Sequence, residues 1–294
     1  MHLGHEVAMV ESWSGEECDL LLALHARKSH ASVLAFSETC PAKPLIVALT
    51  GTDLYQDLPQ DEQARQSLHL AERLVLLQEH GRSHLPPGER HKAVAILQSA
   101  VPPVRVPRSS DEAFDVCVLA HLREVKAPFL AAEAARLLPQ ESRIRILHAG
   151  TAIDEGYAEQ AAREMEENPR YHWLGELDPE AAKERLAGSR LLVLTSRMEG
   201  GANVISEAVV CEVPVLSTRI SGSLGMLGED YPGFYPVGDA EALAQLMLRV
   251  EQDAEFGTTL LAAAEELRSA LRPEAEREAW RQMFSDIEDN KEPR

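Results

Sequence analysis

Basic residues are scarce in this chain. Its 294 residues hold 29 Lys and Arg against 48 Asp and Glu, a formal net charge of −19. That shortage argues against a broad nucleic-acid-binding surface and against electrostatic docking on anionic membranes. A small anionic substrate would need a local basic pocket. Long apolar runs are also missing, so nothing reads as a membrane span. The opening Met1-His2-Leu3-Gly4-His5 is not a signal peptide, and a cytoplasmic location is expected. The four cysteines, Cys18, Cys40, Cys117 and Cys211, lack the paired spacing of a zinc site. They read as small hydrophobes in a reducing compartment. Internal repeats and low-complexity tracts are absent. What remains, 45% hydrophobic and 26% charged residues, is the make-up of a packed protein long enough for two domains.

The most informative stretch is Ser196-Arg197-Met198-Glu199-Gly200-Gly201-Ala202-Asn203-Val204-Ile205-Ser206-Glu207-Ala208. It follows Leu191-Leu192-Val193-Leu194, a run expected to be a strand buried on both faces. Val204, Ile205, Ala208 and Val209 then recur at helical spacing. The glycines therefore mark a strand-to-helix turn, where they let the chain bend and a ligand approach the main chain. Amides of Gly201, Ala202 and Asn203 would face an anion at the helix N-terminus. Glu207, one to two turns in, could take two ribose hydroxyls. A Gly-Gly turn with a nearby glutamate is by itself ordinary. The added weight comes from the whole pattern, in which Glu199 and Glu207 form an E-x7-E pair ahead of a Pro214-Val215-Leu216-Ser217 strand.

Strands and helices alternate along the chain. Expected strands are Glu6–Val10, Asp19–Leu24, Pro44–Leu49, Leu74–Leu77 and Ala93–Leu97. Leu3-Gly4-His5 reads as the end of a helix. Helices are expected through about Phe36 and over Gln63–Arg73. This alternation implies a parallel sheet, with ligands at the carboxyl ends of its strands. His25, Arg27, Lys28, Thr50, Gly51, Thr52 and Asp53 all fall at such ends. His25-Ala26-Arg27-Lys28-Ser29 gathers positive charge in an acidic protein. It is either a solvated loop or an anion site, according to whether the cationic heads point inward. Val101–Ser110, with three prolines, reads as a stiff connector. It separates a first domain over residues 1–108 from a second over 109–272, with a C-terminal helix and frayed acidic tail over 273–294.

In the second half, strands are expected at Phe114–Leu119, Arg143–Ala149 and Tyr171–Trp173. Helices are expected at Phe129–Leu138, Ile153–Asn168, Ala181–Ala187, Ala240–Val250, Phe256–Leu271 and from Pro273 through Phe284. Arg123 and Lys126 lie three apart after the first of these strands. Both could neutralise a diphosphate, Arg by paired hydrogen bonds and Lys as a point charge. Gly175 could let the main chain read a base edge. Tyr171 and Trp173 read as packing residues. Thr218–Gly228, with three glycines, is expected to be a loop.

Several blocks carry a family resemblance. Leu22-Ala23-Leu24-His25-Ala26-Arg27-Lys28-Ser29, Ala48-Leu49-Thr50-Gly51-Thr52-Asp53-Leu54-Tyr55, His121-Leu122-Arg123, Asn168-Pro169-Arg170-Tyr171-His172-Trp173-Leu174-Gly175-Glu176 and Glu199-Gly200-Gly201-Ala202-Asn203 resemble the selenosugar synthases of selenoneine biosynthesis. These belong to the family 4-like glycosyltransferases with the GT-B fold, an α/β architecture of two Rossmann-like domains facing a cleft. The resemblance implies a UDP-sugar-dependent hexosyltransferase. Its donor is expected to be UDP-N-acetylglucosamine and its acceptor selenophosphate, giving a 1-seleno-sugar, UDP and phosphate. It implies catalytic roles for His25, Asp53 and Glu199. Donor binding falls to Arg123, Lys126, Gly175, Gly200, Gly201, Ala202, Asn203 and Glu207. Acceptor binding falls to Arg27, Lys28, Thr50, Gly51 and Thr52. No cofactor or metal is implied, since cations and helix amides already neutralise the leaving group. No nucleic-acid or membrane partner is expected, and the sequence is compatible with a homodimer. The family's first strand and Gly-containing loop are expected to be missing from the N-terminal domain. Alternatives are a family 4 enzyme with a hydroxyl or thiol acceptor, a truncated non-catalytic UDP-sugar-binding protein, and a UDP-sugar epimerase.

Overall fold

Short apolar runs separated by polar turns become parallel strands in both halves of the chain. The structure is a computed structural model that describes residues 3–106 and 112–289. The chain divides into two units. Unit 1 comprises Met1–Ser99, Glu199–Gly201 and Ala270–Arg294, and unit 2 comprises Ala100–Met198 and Ala202–Ser269.

Unit 1 runs β1 (Leu21–Leu24), α1 (His30–Thr39), β2 (Leu45–Ala48), a single π-helical turn (Asp53–Asp57), α2 (Glu62–Leu70), β3 (Arg73–Leu76) and β4 (Ala93–Ala95). Two short 3-10 helices, Glu79–His84 and Pro87–Lys92, link β3 to β4. The four strands lie in sequence order and are all parallel. Because side chains alternate across a strand, one face presents Leu45, Val47, Leu74 and Leu76 to Val33, Phe36 and Leu68 of the two helices. The other face presents Ile46, Ala48 and Val75, which pack with Ile96 and with Met283 and Ile287 of the C-terminal helix. β1 is an edge strand, and Leu24 on it is 64% exposed.

Unit 2 continues with β5 (Phe114–Leu119), a 3-10 turn (Glu124–Lys126), α3 (Leu130–Arg136), β6 (Ile144–Ala149), α4 (Tyr157–Glu167), β7 (Tyr171–Trp173), α5 (Pro179–Ala187), β8 (Leu191–Leu194) and α6 (Asn203–Val210). Then come β9 (Val215–Thr218), α7 (Ser221–Leu227), β10 (Phe234–Tyr235), α8 (Ala240–Gln252), α9 (Ala254–Ala263) and α10 (Glu265–Ala270); α11 (Pro273–Asp289) is the C-terminal helix. The six strands are parallel in the order β10-β9-β8-β5-β6-β7. The order reverses between β5 and β8. Loops leaving those two strands must diverge to opposite faces, which opens a ligand crevice at their carboxyl ends. Asp178, Asp239 and Asp253 cap α5, α8 and α9 by accepting first-turn amides.

The structure corrects several expectations. Glu6–Val10 forms no strand. It is irregular and exposed, with Met9 95% exposed, so its apolar residues have no surface to cover. Leu3–His5 is a turn and bend region, not a helix end. Ser221–Leu227 is a helix where a loop was expected, because burial of Met226 and Leu227 outweighs the poor propensity of glycine. α4 begins only at Tyr157, since Gly156 before it is left-handed at φ 80°. The Phe256–Leu271 helix is broken into α9 and α10. Asp286–Asp289 remain helical, and the rest of the expected frayed end lies outside the described residues. Of the expected connector, 107–110 also lie outside them.

Candidate functional site

In unit 1 the expected residues collect at the carboxyl ends of β1 and β2. Asp53 organises them. It is 0% exposed, and its Oδ1 accepts from the Thr50 amide at 2.8 Å, the Thr50 hydroxyl at 2.9 Å and the Leu54 amide at 3.1 Å. Its Oδ2 accepts from the Ala26 amide at 2.9 Å. A carboxylate has about four acceptor positions, two on each oxygen; here Oδ1 is fully engaged by the protein's own donors and Oδ2 is partly so. Asp53 is thus a buried anchor for the two loops, whereas the family resemblance implied a catalytic role for it.

His25 is buried and has φ 74°, in the left-handed region that a side chain rarely adopts. Its Nδ1 accepts from the Lys28 amide at 3.3 Å, which leaves Nε2 to carry the proton of the neutral ring. Nε2 lies 3.1 Å from the Thr52 hydroxyl and 3.7 Å from Asp57 Oδ2. Arg27 is exposed, but its Nε donates to Asp57 at 2.8 Å, and that pairing raises its pKa. Lys28 is exposed. An open polar hollow of about 300 Å³ is lined by Arg27, Gln56, Asp57, Gln60 and Asp61.

The turn Glu199–Gly201 clusters with unit 1. A Cβ at Gly200 would lie 2.6 Å from the Thr50 carbonyl carbon, one at Gly51 2.8 Å from the Gly200 nitrogen, and one at Gly201 2.6 Å from Leu77 Cβ. The closeness that these glycines were expected to offer a ligand is taken up by the protein's own chain. Gln78, buried, donates to the Gly200 carbonyl at 3.1 Å and the Tyr55 hydroxyl at 2.9 Å, and accepts from the Gly81 amide at 3.0 Å.

In unit 2 the expected donor residues stand around the ends of β5 and β8. Arg123 is exposed and leads into the 3-10 turn that ends with Lys126. That turn is fastened beside the end of β8, where the Thr195 hydroxyl donates to the Lys126 carbonyl at 2.7 Å and the Arg197 amide to the Val125 carbonyl at 2.8 Å. Asp154 accepts from the Glu124 amide at 2.9 Å. Ala202 is the N-cap of α6 and Asn203 its first residue. No side chain caps the helix, so its first amides remain available to an anion. Glu207 is half-buried, accepts from Asn203 Nδ2 at 3.3 Å, and has its pKa raised by burial, which Lys183 partly opposes. Gly175 has φ 69° and accepts from the Gly150 amide at 2.8 Å.

Asp57, Gln78, His148 and Lys183 were not found from the sequence. Asp57 had a signal, one helical turn beyond Asp53. The other three are distant in sequence from every motif they serve. Another hollow, about 130 Å³, lies at the amino end of β9 among Val209, Val213, Val215, Tyr231 and Leu260. It is on the side of the sheet opposite to the strand ends that carry the expected site.

Comparison with known proteins places these features. No curated protein sequence matches the chain. Solved structures do. Anabaena Alr3699/HepE in complex with UDP and glucose superposes with a TM-score of 0.73 at 15% identity, over 92% of this chain and 78% of that one. Sucrose-phosphate synthase from Thermosynechococcus elongatus gives 0.72 at 19% identity, over 93% and 74%. The pneumococcal O-GlcNAc transferase GtfA in complex with UDP and GlcNAc gives 0.68 at 13%, over 90% and 56%. At such identities the likeness establishes the fold, which is GT-B. The family model described as glycosyl transferases group 1 matches residues 105–277, more than half of the chain. By that match, and with a parallel-sheet fold that agrees with it, the chain belongs to the group 1 glycosyl transferases.

Proposed function

We propose that the chain transfers a hexosyl group from a UDP-sugar, with UDP-N-acetylglucosamine the expected donor, to the selenium of selenophosphate. In this reading unit 2 holds the donor. Glu207 takes the ribose hydroxyls, while Arg123, Lys126 and the first amides of α6 neutralise the diphosphate. Neighbours of the same fold were solved with UDP and with UDP-glucose, which supports a uridine nucleotide here. UDP leaves with the electron pair of the C1–O bond, and selenium supplies the pair for the new C1–Se bond. Water then cleaves the P–Se bond, releasing phosphate and the 1-seleno-sugar.

The observation that carries the acceptor assignment is the state of the His25 ring. Nδ1 is occupied by the Lys28 amide, and the protonated Nε2 lies against Thr52. A group so engaged is poorly placed to deprotonate a hydroxyl acceptor. A nucleophile that arrives already ionised requires orientation only, and His25, Lys28 and Thr52 can orient an anion. The sequence blocks shared with selenosugar synthases favour the same acceptor. A neutral polyhydroxyl acceptor is the second reading, favoured by the open hollow that Gln56 and Gln60 help to line.

Incubation with selenophosphate and a panel of UDP-sugars, followed by mass spectrometry, tests the proposal. A product carrying selenium on the sugar, formed with one UDP per turnover, is expected. UDP release that does not respond to selenophosphate would discard it. Arg27→Ala and Lys28→Ala should each raise the acceptor KM and leave UDP affinity unchanged. Unaltered acceptor kinetics in both would remove these residues from the acceptor site.

A further inference from the structure

We infer that Asp53 is a positioning residue that acts through His25. Its buried carboxylate ties the loop after β1 to the loop after β2 and so fixes the imidazole against Thr52. The inference rests on the reading that unit 1 holds the acceptor, and deepens it.

The two oxygens serve different loops. Oδ1 gathers the amide and hydroxyl of Thr50 and the amide of Leu54, all in the loop after β2. Oδ2 takes the amide of Ala26, in the loop after β1, and lies 3.9 Å from His25 Nδ1. Bonds from amides to an ionised carboxylate are shorter and stronger than those between neutral groups. With Asp53 fully buried, no water competes for them.

Ala26 directly follows His25, whose φ of 74° is unfavourable for a residue with a side chain. Such a conformation persists only where its surroundings over-determine it. Three bonds do so here. The Ala26 amide is held by Asp53, the Ser29 amide donates to the His25 carbonyl at 3.0 Å, and the Ser29 hydroxyl donates to the Leu24 carbonyl at 2.6 Å. The bond to Asp53 is the fully buried charged link between this loop and its neighbour, and the exposed Arg27 makes a second one to Asp57 at 2.8 Å. The ring that results spans the gap, with Lys28 on its Nδ1 side and Thr52 on its Nε2 side. Asp53 touches no solvent, so it acts on the acceptor through the residues it holds, with the loop of His25 on Oδ2 and Thr50 on Oδ1.

Asp53→Asn separates the two halves of the clamp. The variant keeps one oxygen and replaces the other with an NH2 donor. In either orientation one loop loses its acceptor and meets a donor instead. Titration calorimetry with UDP and steady-state kinetics with selenophosphate then give a split readout. UDP affinity is expected to stay within about twofold, while the acceptor KM rises about tenfold, the scale of one lost charge-assisted bond. Parallel loss of both, in proportion to a drop in folded fraction, would mark a merely structural residue and overturn the proposal, as would an unchanged acceptor KM.

Amide exchange of the unaltered protein gives a second arm that does not depend on whether the variant folds. The Ala26 amide, though in a loop, should exchange as slowly as the amides of β2. Exchange at the rate of an open loop overturns the clamp. A third arm uses the imidazole nitrogen shifts of His25, which should report one Nε2–H tautomer in the unaltered protein and an averaged ring in Asp53→Asn. If selenophosphate is not the acceptor, the unaltered enzyme itself fails to consume it, and the exchange and imidazole arms still decide the role of Asp53.

Discussion

The phenol of Tyr171 donates to Nδ1 of His148 at 2.9 Å, joining neighbouring strands β7 and β6. The other ring nitrogen lies 2.9 Å from the Ala120 carbonyl, which can only accept. Nε2 is therefore the protonated nitrogen, and the neutral ring satisfies both partners. The carbonyl so held lies three residues ahead of Arg123, at the base of the loop proposed to bind the diphosphate.

Acid should expose this arrangement. Burial pushes the His148 pKa down to about 4, whereas the unfolded chain takes up that proton near about 6.5. The folded pKa is the lower one, so the contribution to stability is complete above the unfolded value and is lost as pH falls from there toward 4. About 3 kcal/mol is at stake over that window. Thermal melts between neutral and mildly acidic pH should show the decline. His148→Phe should flatten it, at a cost of about 2–4 kcal/mol for stranding the Tyr171 hydroxyl and the Ala120 carbonyl. An equally steep acid decline in the variant would place the titrating group elsewhere.

Glu207 should show stability and binding pulling in opposite directions. Burial raises its pKa, so the free protein is relieved when the carboxyl gains a proton, and that relief fades as pH rises through the raised value. Ribose hydroxyls call for the ionised form. Glu207→Gln should thus melt at the same or a slightly higher temperature, and bind UDP about 10- to 100-fold more weakly, the worth of a charge-assisted hydrogen bond. The unaltered protein should lose UDP affinity as pH falls through the Glu207 pKa, and Glu207→Gln should not. Calorimetric titration with UDP at two pH values, alongside melts, measures both. Undiminished UDP binding by the variant would remove Glu207 from the nucleotide site.

Gly150 admits no side chain. A Cβ there would sit 2.0 Å from the Ala120 carbonyl oxygen, and φ is 156°. The neighbour is main chain and cannot rotate aside, so Gly150→Ala should cost about 3 kcal/mol or more. Gly156, also at positive φ but with nothing near its Cβ position, should cost only about 1–2 kcal/mol on the same change. Denaturant melts of the two variants provide the contrast. Equal losses would mean that backbone conformation, not crowding by Ala120, sets the penalty.

The sequence revealed most of the sheet because its strands are short apolar runs closed by polar turns. Leu45–Ala48 and Leu191–Leu194 are buried along their whole length, and such runs have little alternative to the middle of a sheet. Glu6–Val10 misled because a short apolar run does not by itself supply a neighbouring strand. Ser221–Leu227 misled because glycine content reports local preference, and burial outweighed it. At the candidate site, residue types at strand ends were legible, but not their pairings. Asp53 was legible as a polar residue at a strand end, and only the fold shows it turned inward onto Ala26 and Thr50. His148 and Gln78 could not be recognised, since each acts on a carbonyl far away in sequence.

Met283 and Ile287 of α11 fill one face of the sheet formed by β2 and β3, although some two hundred residues of chain intervene. During synthesis the first four strands leave the ribosome with that face bare. It stays uncovered until α11 has been made, because chains fold as they emerge and long-range contacts come late. Ile46, Val75 and Ile96 are then a target for chaperones in every nascent copy. A stop codon placed just before α11 should yield aggregates, even though all ten strands among the described residues have been made.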